Sequence, residues 1–339
     1  MIESCKVDKN TRFKALRNSS FFMLVLLIVL VAGCKKVEET DDFTTISLPE
    51  SGLVRTFYRE GDTVFIAGGE THSNGFMLTY DLRTDQVSTI VSGYQHSFYS
   101  VSRNPLNGLL YLGMDNSDLL IVDGDGEAGE HYIEEQYWVN DQQKQPLHEV
   151  HEVNSRLFYI GGGELQFGLI RKQLENDQFQ QYEFNNELRS LVSLGGNKLL
   201  AVGNGIQITS NDLGETWTRK SSPSAYFTSV CFDENTATGW MTTFQGGIYK
   251  TTDGGENWNR EQTPISTLRS PFYLKRIKLL NSNNYDAIAV GNNGSLAVKQ
   301  TDKPWALIHL SLDDDLSDFI VINNQLWIAA KGKLIIYPL

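Results

Sequence analysis

Few residues in this 339-residue chain carry reactive side chains in a pattern, and their spacing argues against most of the chemistry they suggest. His148-Glu149-Val150-His151-Glu152 sets two imidazoles around a carboxylate. A zinc-binding helix needs such rings about four residues apart. Here they are three apart in a stretch that reads as a strand, where an odd separation sends side chains to opposite faces. Asp123-Gly124-Asp125-Gly126-Glu127 has the carboxylate density of a calcium loop but lacks the glycine and distal glutamate at the required offsets, and reads as a hairpin turn. Gly161-Gly162-Gly163-Glu164 precedes neither a Lys-Ser/Thr pair nor a helix, so it is not a phosphate cradle. Asp313-Asp314-Asp315 reads as a solvated loop. Cys5, Cys34 and Cys231 are too few and too far apart for a disulfide framework or a multi-cysteine zinc site. No nucleophile–base pairing can be assembled from spacing, so no catalytic residue, metal or cofactor is expected.

The elements that would position any site are strands. From residue 43 onward the pattern has period two, broken by Gly, Asn, Asp and Ser turns, with no amphipathic helix. One strand type recurs as Val64-Phe65-Ile66-Ala67-Gly68, Leu110-Tyr111-Leu112-Gly113, Phe158-Tyr159-Ile160-Gly161 and Leu200-Ala201-Val202-Gly203. It continues as Trp240-Met241-Thr242-Thr243, Ile288-Ala289-Val290-Gly291 and Leu326-Trp327-Ile328-Ala329, seven copies roughly 40–48 residues apart. Upstream of each lies an apolar-x-polar-apolar element: Val54–Phe57, Phe98–Val101, Val150–Val153, Leu188–Leu191, Phe227–Val230, Leu274–Ile277 and Leu316–Phe319. That period, holding four strands, predicts an all-β, seven-bladed β-propeller of four-stranded antiparallel blades. Apolar residues three apart in an alternating strand predict a β-bulge. The last copy leaves room for only one more strand, Lys333–Tyr337, so Thr44–Leu48 is expected to supply its outer strand and close the ring.

Charge and the N-terminus bear on address. The chain has 29 Lys+Arg against 41 Asp+Glu, a net charge of −12, which lacks the cationic surface that nucleic-acid binding requires. With 40% hydrophobic and 21% charged residues, wholesale disorder is excluded. Lys6, Lys9, Arg12, Lys14 and Arg17 precede an apolar run, Phe21–Ala32. As a helix it would be about 18 Å long, short of a ~30 Å hydrocarbon layer, and it reads as a signal-peptide core. Val31-Ala32-Gly33-Cys34 resembles a bacterial lipobox. The resemblance implies removal of residues 1–33 and acylation of Cys34, a membrane anchor without a spanning helix. Residues 1–33 carry five basic and two acidic side chains, so without them the net charge becomes about −15. Residues 34–42 form a charged tether. Its acidic cluster resembles the export signal of surface lipoproteins, and reads equally as a solvated linker. The expected organisation is a signal peptide (1–33), a tether (34–42) and one propeller domain (43–339), anchored to the outer membrane on its periplasmic or surface face.

Two segments carry a family resemblance. Ser210-Asn211-Asp212-Leu213-Gly214-Glu215-Thr216-Trp217 and Thr251-Thr252-Asp253-Gly254-Gly255-Glu256-Asn257-Trp258 resemble Asp-boxes (BNR repeats), with their aspartates 41 positions apart. A degenerate third, Thr301-Asp302-Lys303-Pro304-Trp305, has lost the glycine pair. Such a box is a hairpin turn: Asp212 and Asp253 accept backbone N–H bonds, Gly214 and Gly255 supply positive φ, and Trp217 and Trp258 pack between sheets. Ser210 and Thr251 open the two boxes. Around Gly239–Gly255 and Gly291–Gly294 the chain is similar to propellers of the photosystem II assembly/stability-factor type. In that family the boxes are architectural and the propeller is a protein-binding platform. Sialidases also carry Asp-boxes and use three convergent arginines, a Tyr nucleophile with its Glu, and an Asp acid/base. This chain has no Arg-Ile-Pro segment of that family. Arg55 and Arg189 share one register while Arg276 falls one residue later, so it need not point with them.

The second position of the shared element holds Arg55, Tyr99, His151, Arg189, Thr228, Lys275 and Ser317. Opened onto the mouth of a central channel, it would place a cationic group in four of seven blades and focus anions. The expected function is that of a non-catalytic platform for other envelope proteins, with Arg55, Tyr99, His151, Arg189 and Lys275 on its binding face. The alternative is a glycan-binding protein or a degenerate sialidase-like hydrolase. Anionic peptides and anionic glycans are the partner classes.

Overall fold

A computed structural model describes residues 38–122, 128–131, 145–163, 166–174, 178–220, 225–264, 273–282 and 284–339. Cys34, the rest of residues 1–37 and the acidic stretch Asp123–Glu127 lie outside the described residues. Among the described residues there is no α-helix, and none long and apolar enough to cross a membrane.

Seven sheets follow one another along the chain. Blades one to five span 53–94, 98–131, 147–184, 188–220 and 227–260, each a four-stranded antiparallel meander. Blade six spans 274–310, and blade seven combines 319–338 with Thr44–Ser47. The second strand of each blade is buried on both faces: adjacent residues Phe65/Ile66, Tyr111/Leu112, Tyr159/Ile160, Leu200/Ala201, Trp240/Met241, Ile288/Ala289 and Trp327/Ile328 are all buried. Alternation is therefore lost there, because one face meets the preceding blade and the other the following one. The apolar clusters lie between blades. One joins Val54, Ile66 and Phe76 of blade one to Trp327, Leu334 and Ile336 of blade seven, with the Tyr80 and Trp327 rings edge to face at 4.8 Å.

That seam closes the ring. Thr44–Ser47 pairs antiparallel with Lys333–Ile336, and Ile46 and Leu48 pack on the cluster. The sheets begin earlier than residue 43, however. Glu38–Thr40, inside the stretch read as a tether, adds a fifth strand to blade six, parallel to Ile308–Leu310. The free edge of Ala306–Leu310 offers unpaired ladder groups, and a short segment just upstream of the closing strand is tethered close enough to take them.

The glycine ending the second strand is fixed by contact. A Cβ on Gly203 would stand 1.9 Å from the Glu187 carbonyl oxygen, and one on Gly291 would stand 1.9 Å from that of Tyr273. These carbonyls belong to the residue before the inner strand, and the N–H of the residue after the glycine bonds to them. Asn204 bonds Glu187 at 2.9 Å and Asn292 bonds Tyr273 at 3.1 Å. Gly162 and Phe244 make the same bond to Pro146 and Tyr226. At the opposite end of the strands, the third and fourth strands of blades four and five turn through Asp212 and Asp253. Asp212 accepts the Thr216 N–H at 2.9 Å, and Asp253 accepts that of Asn257 at 2.9 Å. The Ser210 and Thr251 hydroxyls accept the N–H groups of Gly214 and Gly255. Trp217 and Trp258 pack on the clusters shared with blades three and four.

Candidate functional site

Each inner strand begins at the same face of the ring, and each begins irregularly. In blades one to six the register slips between the first and third residues: Val54/Thr56, Phe98/Ser100, Leu147/Glu149, Leu188/Ser190, Phe227/Ser229 and Leu274/Arg276. The first residue is fully buried between blades. The residue inside the slip has no ladder partner and is released from the sheet. These residues are Arg55, Tyr99, His148, Arg189, Thr228 and Lys275, with Ser317 at the matching place in blade seven. All seven line one cavity of about 630 Å³ at the mouth of the ring.

His151 is not among the cavity's lining residues; His148 is. The segment Leu147-His148-Glu149-Val150-His151-Glu152-Val153 reads His-Glu-Val twice, and the sequence register took the second copy. Leu147 pairs with Gly161, so the first copy is the blade element. His151 lies mid-strand, 3.9 Å from Glu149 and half-buried. Burial, chiefly, pushes its pKa down.

A chain of contacts runs around the mouth. The Arg55 guanidinium lies 4.1 Å above the Tyr99 ring, and Tyr99 meets His148 edge-on at 5.8 Å. Arg189 Nη1 reaches His148 Nδ1 at 3.4 Å, and its guanidinium sits 5.4 Å over Tyr226. Tyr226 stacks on Phe244 at 5.4 Å, and Phe244 on Tyr273 at 4.0 Å. Phe244 stays 40% exposed, an aromatic edge left open in a polar rim.

The mouth is less cationic than its register residues suggest, because the linkers between blades bring carboxylates. Glu187 pairs with Arg189, and Asp315 with Lys275 at 2.8 Å. Burial would raise the Glu187 pKa, but the His148 hydrogen bond and the Arg189 charge outweigh it and hold Glu187 ionised. His148 is neutral: burial and the neighbouring Arg189 push it down to about 4. Its Nε2 faces the Gly162 carbonyl at 2.9 Å, which leaves Nδ1 to accept from Arg189. Burial pushes the Tyr226 hydroxyl well above its ordinary value. Arg55 differs from the other cations. Among the described residues no carboxylate lies within ion-pair distance of it, and its buried Nε has no hydrogen-bond partner. Glu70 and Asp115, the nearest anions acting on it, are engaged by Lys331 at 3.1 Å and by His96 at 2.8 Å.

Arg276 closes the floor. It lines both the mouth and a second cavity of about 230 Å³ beneath it. It reaches Glu149 at 3.2 Å and Asp318 at 3.7 Å, and Lys278 reaches Asp318 at 2.7 Å. Despite burial, those two carboxylates raise the Arg276 pKa. Although Arg276 falls one residue later than Arg55 and Arg189, all three line one cavity, since Lys275 takes up the slip. Among the described residues no group of His, Cys, Asp and Glu is placed to hold a metal ion.

Glu187, Tyr226 and Phe244 lie outside the repeated element, and the sequence reading missed them. Tyr226 does occupy the position just before an inner strand, where the backbone carbonyl is taken by the Phe244 N–H and the side chain packs against Arg189 and Phe244. No protein-family model matches the sequence, and no curated protein matches it. Solved structures share the fold. YCF48 bound to D1 peptide superposes with a TM-score of 0.65 at 16% identity, covering 90% of this chain and 98% of that one. YCF48 from Cyanidioschyzon merolae gives 0.61 at 12% identity, covering 88% and 98%. The WD40 repeats of RRP9 give 0.63 at 10% identity, covering 89% and 99%. This chain folds as a seven-bladed β-propeller similar to theirs.

Proposed function

We propose that this chain is a lipid-anchored envelope propeller whose mouth binds an acidic, extended segment of another protein. One observation carries the reading: the released residues of six inner-strand bulges, with Ser317 at the matching place in blade seven, converge on a single cavity whose floor is closed by ion pairs and whose rim offers one uncompensated guanidinium and, across the mouth, an exposed aromatic ring. A peptide-bound structure among its fold relatives supports the choice of a peptide, as does the presence of others in protein assemblies such as the mitotic checkpoint complex. The Asp212 and Asp253 turns are read as Asp-boxes with an architectural role, on the face away from the mouth. Cys34 carries the anchor in this reading, in the outer membrane. Labelled fatty acid should enter the wild-type chain and not Cys34→Ser.

Convergence of Arg55, Arg189 and Arg276 near Tyr226 and Glu187 gives the sialidase-like alternative its one specific support. Two of those arginines already hold carboxylates of the chain itself. The Tyr226 hydroxyl is shifted up, the reverse of what an activated nucleophile needs. The mouth is therefore read as a binding site. An acidic decapeptide should bind the purified protein with an affinity that falls as salt rises, and Arg55→Glu should weaken it at least about tenfold. Turnover of a fluorogenic sialoside, or unchanged peptide binding by Arg55→Glu, would contradict the reading.

A further inference from the structure

Acidity alone does not define the ligand. We infer that the mouth selects a segment bearing one carboxylate and one aromatic side chain a few residues apart, the carboxylate on Arg55 and the ring on Phe244. This rests on the proposed peptide-binding role and specifies what that peptide must contain.

Charge accounting sets the first half. Arg189, Arg276 and Lys275 each have a carboxylate of the chain within ion-pair distance, and His148 is tied to a carbonyl and to Arg189. A ligand anion directed at any of them would have to displace an existing, partly desolvated partner. Arg55 asks for no such exchange. Its guanidinium rests on Tyr99, which leaves its donors facing the cavity, and its Nε is buried without an acceptor. One free charge matches one carboxylate, and a phosphate dianion would be left half compensated.

Placement sets the second half. Phe244 follows the second strand of blade five, and Arg55 opens the inner strand of blade one. In a ring of seven these are close to opposite sides of the mouth. Phe244 is held flat between Tyr226 and Tyr273, which cover its faces, so it presents a rigid edge at little entropic cost on binding. An aromatic edge kept 40% exposed in a polar rim is a surface whose burial against the face of a ligand ring would stabilise a complex. A ligand touching both must cross the mouth, which fits a short extended segment in a cavity of about 630 Å³.

Fluorescence polarisation with labelled hexapeptides tests this. Each carries one Phe and one Asp two to four residues apart, and companions have Ala for Phe, Asn for Asp, or phosphoserine for Asp. The Phe/Asp peptide of best spacing should bind tightest. Arg55→Gln should weaken it about tenfold while leaving the Asn companion unchanged, with Arg55→Lys retaining part of the affinity. Phe244→Ala should weaken it about fivefold and leave the Ala companion unchanged. Melting curves of all three variants verify folding. Equal binding of the Phe and Ala peptides, a preference for phosphoserine, or indifference to Arg55→Gln would overturn the inference while leaving an anion-binding mouth intact. If none of these peptides binds while the acidic decapeptide does, the inference alone fails. Failure of every peptide would remove the peptide-binding role itself.

Discussion

Asp253 is exposed and Asp212 half-buried, and both carboxyls are held down at about 2. Hydrogen bonds from Thr216 and Ser210 hold the first down, and bonds from the Asn257 backbone and side chain and from Thr251 hold the second. A folded-state pKa below the unfolded value near 3.9 stabilises the fold above that value, and the contribution is lost as pH falls through the folded one. Between about pH 4 and pH 2 the wild type should therefore lose stability faster than Asp212→Asn/Asp253→Asn, as denaturant midpoints at each pH will register; parallel curves would count against the turn bonds. Arg276 makes the opposite kind of contribution, from inside. Arg276→Met leaves Glu149 without its cation and should cost about 3 kcal/mol in denaturant unfolding, the usual penalty for breaking a buried pair. At this scale the chain was readable where chemistry repeats, as at Arg55, Tyr99, Arg189 and Lys275. It was unreadable at His148 because two overlapping His-Glu-Val copies both satisfy the apolar-x-polar-apolar pattern. A spacing check separates them. From inner-strand start to second-strand glycine the chain runs 14 residues in blade one (Val54 to Gly68) and 15 in blade four (Leu188 to Gly203). Leu147 to Gly161 is 14, whereas Val150 to Gly161 is only 11.

The element that makes the site is the pair formed by the bulged inner strand and the glycine-ended second strand. Gly203 shows why the glycine recurs: its missing Cβ is the space into which the Glu187 carbonyl is drawn. Gly203→Ala should destabilise the protein by about 1–3 kcal/mol through overpacking, measured by thermal or urea unfolding. A neutral result would mean that the blade relaxes freely there. The same periodicity that disclosed the bulges hides the linkers, since Glu187, Tyr226, Asp315 and Phe244 sit in connections of unequal length with no repeat to align them. Those connections turned a mouth expected to be strongly cationic into one with a single free guanidinium.

At the scale of the whole molecule, stability depends on a ring whose last sheet is finished by its first strand. Thr44–Ser47 contributes a ladder to Lys333–Ile336, and Ile46 and Leu48 cover the seam between blades one and seven. Deleting residues 38–48 should cost about 5 kcal/mol, from a few ladder bonds of about 1 kcal/mol and two partly buried aliphatic side chains. It should also promote self-association through the open edge, seen by light scattering. Ring closure was foreseeable from the missing outer strand of blade seven. The parallel strand Glu38–Thr40 was not, since three residues of a charged stretch carry no strand signal and owe their pairing to a nearby free edge. The ring gathers six bulges at one end and sets its aspartate turns at the other, so one face should hold the partner. Placing the photo-crosslinking analogue of phenylalanine at Phe244, and separately at Asn324 on the opposite face, tests this in the native membrane. A discrete protein adduct should form from Phe244 and be abolished by Arg55→Glu, with none from Asn324; adducts from Asn324 alone, or a Phe244 adduct indifferent to Arg55→Glu, would rule out the mouth as the partner-holding face.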